Sequence, residues 1–349
     1  MKDIPADFQF ELCDTRAAAD SFYTALTDHL NVIRQEVAPE DLPTTPENTK
    51  NRLQSMPDFL EMPFWVVRDP ATARIIANGA GMMLNTGQNE HLCQVDIRVE
   101  PAYRQQGLGS ALLWRIADYA ASHERSLLLF NTYGNVPAGE AFMTWLGAEP
   151  GLVASINRLQ IADVDQALLR RWIAAGEARA GAVQLGLWTG PYPEAAIDDV
   201  VALMEVMDSQ PRDDLDVEDF KFSAEQIRAL EKNQLANGAE RWSLYAQDAT
   251  TGQLVGFTEI FTKPNNPATL EQGNTGVFPA YRGRGIGRWL KAAMLEKVLA
   301  ERPDVRYIDT GNADSNAPML KINHELGFRK HRSSVNWQMA TAKALAALD

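Results

Sequence analysis

One phrase occurs twice in this chain. "PAYRQQGLGSALLWRIA" runs from 101 to 117 and "PAYRGRGIGRWLKAAML" from 279 to 295. Pro101, Ala102, Tyr103, Arg104, Gly107, Gly109 and Leu112 return as Pro279, Ala280, Tyr281, Arg282, Gly285, Gly287 and Leu290, at a constant offset of 178 residues. Self-similarity over that distance implies a duplicated structural unit, each copy large enough for a core of its own.

The flanking elements repeat in the same order. In the first half "FQFEL" reads as a strand and Thr15 to about Val37 as a helix with apolar spacing. A short helix from Glu47 to Ser55 follows. "PFWVVRD", "RIIANGAGMML" and "LCQVDIRV" read as strands, the first two joined by the turn "RDPATA". The phrase then opens a helix to about Ser122, followed by strand "SLLLFN", helix "AGEAFMTWL" and strand "ASINRLQI". In the second half "VQLGLW" is a strand and "EAAIDDVVALMEVM" a helix. "SAEQIRALEKNQLA" is a second helix with Ser223 as N-cap and Gln226 in the capping-box position. "RWSLYAQ", turn "DATTG", "QLVGFTEIF" and "LEQGNTGVF" lead to the second phrase, then to strand "VRYIDT", helix "APMLKINHEL" and strand "SVNWQMA". Between the halves Asp163 can cap a helix ending at Gly181, with Leu168, Leu169, Trp172 and Ile173 as its apolar stripe. The expected division is 1–161, a packed helical linker 162–181, and 182–349. The expected class is α/β (α+β), each half a mixed, mainly antiparallel twisted sheet flanked by helices.

In both copies a strand ends at Val99 or Val277, a Pro follows, and glycines lead into a helix. Glycines there leave amide N–H groups uncovered at a helix N-terminus, where the helix dipole favours an anion such as phosphate. Arg282, Arg284 and Arg288 add positive charge around the second copy; Arg104, Gln105 and Gln106 occupy the first. The pattern is Arg-x-x-Gly-x-Gly. It lacks the Gly-Lys-Ser/Thr of a P-loop, and "GRGIG" has the wrong spacing for a dinucleotide fingerprint.

A net charge of −13 disfavours a general nucleic-acid binder but allows one local anion site. Cys13 and Cys93 make no disulfide framework, and the five histidines (His29, His91, His123, His324, His331) are scattered, so no metal site is expected. "MKDIPADFQFEL" lacks a signal-peptide pattern, and no stretch nears the roughly 20 apolar residues that span a bilayer. A cytoplasmic protein without membrane contact is expected.

Both halves resemble the GNAT (Gcn5-related N-acetyltransferase) family, in the tandem arrangement of the mycothiol synthase type. The family hallmark is Gln/Arg-x-x-Gly-x-Gly/Ala after the fourth strand, cradling the pyrophosphate of acetyl-CoA. The resemblance implies a cradle of Val277, Arg282, Gly283, Arg284, Gly285, Ile286, Gly287 and Arg288 in the second half, with Asn316 nearby. In the first it implies Val99, Arg104, Gln105, Gln106, Gly107, Leu108, Gly109 and Ser110. "NAPMLKINHELGF" resembles the family's Asn-x-x-Ala-x-x-x-Tyr-x-x-x-Gly-Phe helix through Asn316, Met319, Gly327 and Phe328. Asn323 replaces its Tyr, often the acid that protonates the leaving thiolate. In the first half Asn135 and Ala138 fit and Phe142 stands at that position. An amide cannot supply a proton as a phenol does.

The chemistry implied is direct transfer of acetyl from acetyl-CoA to a small amine. The backbone N–H at Val99 or Val277 polarises the thioester carbonyl, and a carboxylate takes the amine proton. Asp96 is the candidate in the first half; its counterpart is Asn274, and the second half offers Glu271 and Glu259. Catalysis is assigned to the second half. The acidic loop "DSQPRDDLDVEDFKF" at 208–222 is expected to wall the acceptor site and attract a cationic amine. A monomer with an internal pseudo-dimer, or a homodimer, is expected. The alternative reading is a catalytically degenerate acyl-CoA-binding or regulatory protein.

Overall fold

The computed structural model describes residues 8–348; the opening stretch read for a leader lies partly outside them, at residues 1–7. In chain order the elements are β1 (Gln9–Cys13), α1 (Asp20–Val37), α2 (Pro46–Gln54), β2 (Leu60–Glu61), β3 (Phe64–Arg68), β4 (Ile75–Leu84), β5 (Leu92–Val99), α3 (Leu108–Ser122), β6 (Leu127–Tyr133), α4 (Pro137–Leu146) and β7 (Glu149–Gln160). There follow α5 (Gln166–Arg179), β8 (Val183–Thr189), α6 (Ile197–Met204), α7 (Ala224–Leu235), β9 (Arg241–Asp248), β10 (Leu254–Thr262), β11 (Thr269–Val277), α8 (Ile286–Glu301), β12 (Tyr307–Ala313), α9 (Ala317–Leu326), β13 (Arg329–Ala340) and α10 (Thr341–Leu348). The mixed, mainly antiparallel α/β architecture is the one the sequence predicts. β2 and α10 were not anticipated.

The predicted caps hold in part. Ser223 and Gln226 form the expected capping box at α7, a feature contributing about 1 kcal/mol. Asp165, not Asp163, caps α5, because residues 161–163 are already a 3-10 turn.

Two compact units divide the chain, and neither is a continuous half. Unit 1 comprises residues 8–153, 212–218 and 333–348; unit 2 comprises 154–211 and 219–332. The strand after α4 therefore serves unit 2, where Ala154–Gln160 of β7 pairs antiparallel with β12. The strand after α9 serves unit 1, where Ser334–Ala340 of β13 pairs antiparallel with β6. The strand order is β1-β3-β4-β5-β6-β13 in unit 1, with β2 beside β4, and β7-β12-β11-β10-β9-β8 in unit 2.

In unit 1, α3 packs Leu108, Leu112, Leu113 and Ile116 against Trp65, Val67, Val95, Leu128 and Trp337; Ala344 and Leu348 of α10 join them. A separate cluster sets Tyr23, Leu26 and Leu30 of α1 against Phe64, Val66 and Ile75. In unit 2, Leu290, Met294 and Leu295 of α8 meet Leu244, Val255, Leu270 and Ile308. The helix read as a linker belongs to this core. Leu169 is buried, and Gly176 lies so near Trp289 that an added Cβ would stand 2.5 Å from it.

Lys291 of α8 is buried, its Nζ 5.7 Å from the centre of the Phe328 ring. Its counterpart one offset away is the core residue Leu113. Burial pulls the Lys291 ammonium down to about 7. The unfolded chain then holds the extra proton between about pH 7 and the ordinary lysine value of 10.5, so unit 2 gains stability as pH rises through that window. Lys291→Leu should raise the melting temperature at pH 7 by several degrees, about 2–4 °C for each kcal/mol gained. It should also flatten the rise between pH 7 and 10, both read by thermal denaturation. A chain ending at Arg332 should lose hydrogen-exchange protection in α3 and β6, whose partners β13 and α10 are removed, while α8 and β11 stay protected.

Candidate active site

Each unit has one parallel strand pair, and each pair stops early. β5 and β6 pair from Leu92–Val95 against Leu127–Phe130; β11 and β12 pair from Thr269–Gln272 against Tyr307–Thr310. Beyond Val95 and Gln272 the strands part, while the far side of β5 and β11 stays bonded to β4 and β10 as far as Val99 and Val277. Glu100 N–H donates to Ile76 O (3.0 Å) and Phe278 N–H to Val255 O (2.9 Å). In an antiparallel ladder successive residues bond to alternate sides. Val99 and Val277 therefore turn their own N–H and C=O toward the side where the neighbour has parted. Arg104 Nε (3.1 Å) and Arg282 Nε (2.9 Å) occupy those carbonyls, which leaves each valine N–H facing the opening.

The repeated phrase then turns the chain from strand to helix. Pro101–Tyr103 and Pro279–Tyr281 form 3-10 turns. Tyr103 OH donates to Asp69 Oδ2 (2.6 Å) and Tyr281 OH to Asp248 Oδ2 (2.9 Å). Both aspartates also accept backbone N–H bonds in the turns "RDPATA" and "DATTG". The phenols thus pin each phrase to the preceding hairpin; the Tyr103 phenol and then the turn's backbone bonds hold Asp69 below the usual carboxylate range, while for Asp248 the Thr250 N–H leads and the Tyr281 phenol follows. Gly107 and Gly285 sit in the left-handed region with φ 80° and 87°, where a side chain would be strained. Gln105 adopts the same sign of φ (61°) where the second copy has Gly283 (78°).

The first helical bonds run from Ala111 N–H to Gly107 O and from Trp289 N–H to Gly285 O. The N–H groups of Leu108, Gly109 and Ser110, and of Ile286, Gly287 and Arg288, precede them and have no acceptor within the helix. A Cβ added at Gly283 or Gly285 would meet nothing within 4 Å. These are open, N–H-lined helix starts of the kind that takes a phosphate group.

The side-chain cations are placed differently from the expectation. Arg104 turns inward to the Val99 carbonyl and pairs with the Glu36 carboxylate of α1, which it holds below the usual range. Arg282 bonds the Val277 carbonyl and Ser209 Oγ (2.9 Å). Arg284 folds back to Ala280 O and over the Tyr281 ring, as Gln106 folds back to Ala102 O. Arg288 pairs with Glu325 at 2.9 Å and lies over Trp172. Each guanidinium thus makes contacts within its own unit, and the positive character of each helix start comes in the first place from backbone N–H groups.

The candidate proton-transfer residues fall in distinct settings. Asp96 stands one residue past the end of the β5–β6 pairing and is bonded at 2.5 Å to Arg98 on the same strand face. Glu271 lies exposed on β11, in the last-but-one rung before the strands part. Glu259 is buried on β10; it accepts from Tyr192 OH (2.5 Å) and Ser243 Oγ (2.8 Å), with Arg241 Nε 3.8 Å away. Burial pushes the Glu259 carboxyl up, opposed by those partners. Tyr192, which sequence reasoning missed, is itself held by Glu231 and Arg228 of α7. Asn323 is wholly buried rather than on a helix surface; its Nδ2 donates to Asn312 Oδ1 at 2.7 Å and its Oδ1 has no partner. Phe142 is half-buried against the unit 1 core. Asn316 caps α9, accepting from Met319 N–H, while Asn135 donates to the carbonyls of Glu36 and Val37 at the end of α1.

The acidic loop does not stay with the second half throughout. Residues 212–218, with Asp213, Asp214, Asp216 and Glu218, belong to unit 1 and not to the second half's own unit. Asp214 N–H donates to Gly151 O (2.9 Å), Asp216 N–H to Gln338 Oε1 (3.0 Å) and Glu218 N–H to Asn89 Oδ1 (2.8 Å). Backbone bonding, invisible to a charge count, decides where this loop goes.

A cavity of about 380 Å³ in unit 1, lined by Cys13, Arg16, Asp58 and Glu61 among others, is separate from the cradle. Glu61 is bonded to Tyr119 near the C-terminal end of α3, the end opposite the glycines. Among the described residues no group of three or more His, Cys, Asp or Glu could hold a metal ion, and no helix is long and apolar enough to cross a membrane.

The acetyltransferase (GNAT) family matches residues 33–147 and 203–328, which include both phrases. The chain is 26% identical over 269 residues to a mycothiol acetyltransferase of Rhodococcus opacus (strain B4), covering 74% of this chain and 78% of that protein. It is 27% identical over 278 residues to a mycothiol acetyltransferase of Clavibacter sepedonicus, covering 78% of each. Among solved structures, a tandem GNAT protein from the clavulanic acid biosynthesis pathway superposes with a TM-score of 0.78 at 24% identity, over 96% of this chain and 98% of that one.

Proposed function

This chain belongs to the acetyltransferase (GNAT) family, and we propose that it transfers an acetyl group from acetyl-CoA to a small amine. The observation that carries the reading is the pair of N–H-lined helix starts, each beside a strand whose edge is left open. In unit 2 the N–H groups of Ile286, Gly287 and Arg288 would hold the pyrophosphate, with Gly283 and Gly285 keeping the backbone uncovered. The Val277 N–H, left over once Arg282 has taken the carbonyl, would hold the thioester oxygen and stabilise the charge that builds there. Val99, Gly107, Leu108, Gly109 and Ser110 make the same set in unit 1.

Catalysis is assigned to unit 2. Glu271 is exposed one rung before the end of the β11–β12 pairing, whereas Asp96 is occupied by Arg98 and Glu259 is enclosed by Tyr192 and Ser243. Glu271 would take a proton from the attacking amine, directly or through water. As the new C–N bond forms, the C–S bond breaks and the thiolate leaves. Water supplies its proton, since neither Asn323 nor Phe142 is an acid. The relatives are named for mycothiol, which favours a small-molecule acceptor over a protein. The second reading, an acyl-CoA-binding protein without turnover, is favoured by one observation: the buried Asn323 and the half-buried Phe142 stand where the family's tyrosine is expected.

Gly287→Asp and Gly109→Asp separate the halves. Contacts at both glycines begin only at 3.7 Å or beyond, and a carboxylate in a helix's first turn suits the dipole, so both variants should fold. Each places a negative charge where the pyrophosphate would sit. Titration calorimetry with acetyl-CoA should show one site fewer in each variant, with affinity at the altered cradle down at least about 100-fold, roughly 2.7 kcal/mol. No heat at millimolar acetyl-CoA in the unaltered protein would overturn the transferase reading. Glu271→Gln should lower kcat about 10²-fold or more, as loss of a general base does, with acetyl-CoA affinity unchanged. Equal turnover would remove Glu271 from the reaction.

A further inference from the structure

The two phrases are nearly alike, but what lies beneath them is not. Glu100 and Phe278 occupy the same place, each following the strand's last valine and each donating its N–H to the matching residue, Ile76 or Val255. Two residues further along the neighbouring strand stand Asn78 and Phe257, opposite Arg98 and Gly276. In unit 2 this spot is apolar: Phe257 and Phe278 pack with Leu203 of α6 and with Leu254. In unit 1 it is polar and closed, with Glu100 and Asn78 both buried. His29 of α1, with no exposed surface, sets Nδ1 3.2 Å from Glu100 Oε1 and Nε2 3.1 Å from Asn78 Oδ1. Arg74 reaches Glu100 Oε1 from outside at 3.3 Å.

We propose that His29 and Glu100 are positioning residues for the first cradle, and that the charge on His29 sets how the phrase is held. α1 grips the phrase at two points: through His29 on Glu100, and through Glu36 on Arg104, whose Nε holds the Val99 carbonyl. Glu100 passes the first grip on, because its carbonyl accepts Tyr103 N–H (2.9 Å) and so forms the turn that leads into Gly107 and Gly109. The imidazolium form donates from both nitrogens, one to Glu100 and one to the Asn78 carbonyl oxygen. Loss of the Nε2 proton would leave a lone pair facing that oxygen. Two acceptors at 3.1 Å repel, so the Asn78 amide must rotate to present its NH₂, and the neutral ring holds Glu100 by a weaker bond. The charged groups facing His29 are Glu100 and Arg98, with Arg74 on the far side of Glu100. Burial lowers the His29 pKa from its ordinary 6.5, the Glu100 and Asn78 bonds oppose this, and Arg98 lowers it further. Unit 2, with Phe257 and Phe278 in these places, has no group there to titrate.

The inference rests on the proposed function only for what the cradle holds, so it is tested without acetyl-CoA. The protein is labelled with ¹³C-histidine and ¹⁵N-glycine and followed by NMR from pH 8 to pH 5. The expected result is a His29 ring signal with a midpoint below 6.5, and amide signals of Gly107 and Gly109 that move with that midpoint while Gly285 and Gly287 stay fixed. His29→Gln should abolish the movement at Gly107 and Gly109. Should that variant not fold, Glu100→Gln removes the carboxylate, lowers the His29 midpoint and should carry the glycine midpoint down with it. Gly107 and Gly109 signals that ignore the His29 titration would overturn the proposal, as would equal movement at Gly285 and Gly287. Failure here with normal acetyl-CoA binding leaves the transferase reading standing; the reverse outcome removes that reading and leaves the device.

Discussion

Everything distinctive in each unit depends on a parallel strand pair that pairs for four residues and then stops. Up to Val95 and Gln272 the sheet is closed. Past those points β5 and β11 have one bonded edge and one open edge, and an open edge presents alternate N–H and C=O groups at fixed spacing. A bare carbonyl there would compete for any donor entering the cleft. The arginine that opens each Arg-x-x-Gly-x-Gly pattern removes that competition by bonding the carbonyl of the strand's last valine. The arginine is thus a strut for the corner, and the neighbouring glycines keep the helix start uncovered. One short pattern does both tasks, which is a physical reason for its density.

The two copies share this corner and differ behind it. Gln105 accepts a left-handed backbone where the second copy has Gly283. Glu36 balances Arg104 where Ser209 meets Arg282. A buried His–Glu–Asn set stands where the second copy has two phenylalanines and a leucine, while Lys291 takes a core position held by Leu113 in the first. In each case one unit carries a titratable or strained group and the other its inert equivalent.

Much of this was legible in the residues. The constant offset, the alternation in the strands and the Ser223–Gln226 cap each depend on neighbours close in sequence, and each is present in the structure. The corner glycines at positive φ could be anticipated because a tight strand-to-helix turn admits little else. What could not be read were interactions between residues far apart in the chain. The inward turn of Arg104 needs Glu36, 68 residues away. The burial of Glu259 needs Tyr192, 67 residues away. The carboxylates of the acidic loop are visible in sequence, but its place in unit 1 is decided by backbone bonds to Gly151, Gln338 and Asn89. The phenol–aspartate pins did leave a trace. Asp69 and Asp248 open matching turns at nearly the offset of the two tyrosines.

The exchange of β7 and β13 sets an order of completion for a chain made from its N-terminus. Most of unit 1 precedes unit 2 in the chain, yet its sheet and helical core await β13 and α10, which follow every element of unit 2. Unit 2 has β7 waiting before any of its other strands exist, and it is complete once residue 332 is clear. The half that is synthesised second is therefore the first able to close its sheet, and until β13 emerges the β6 edge in the other half stays without its partner strand.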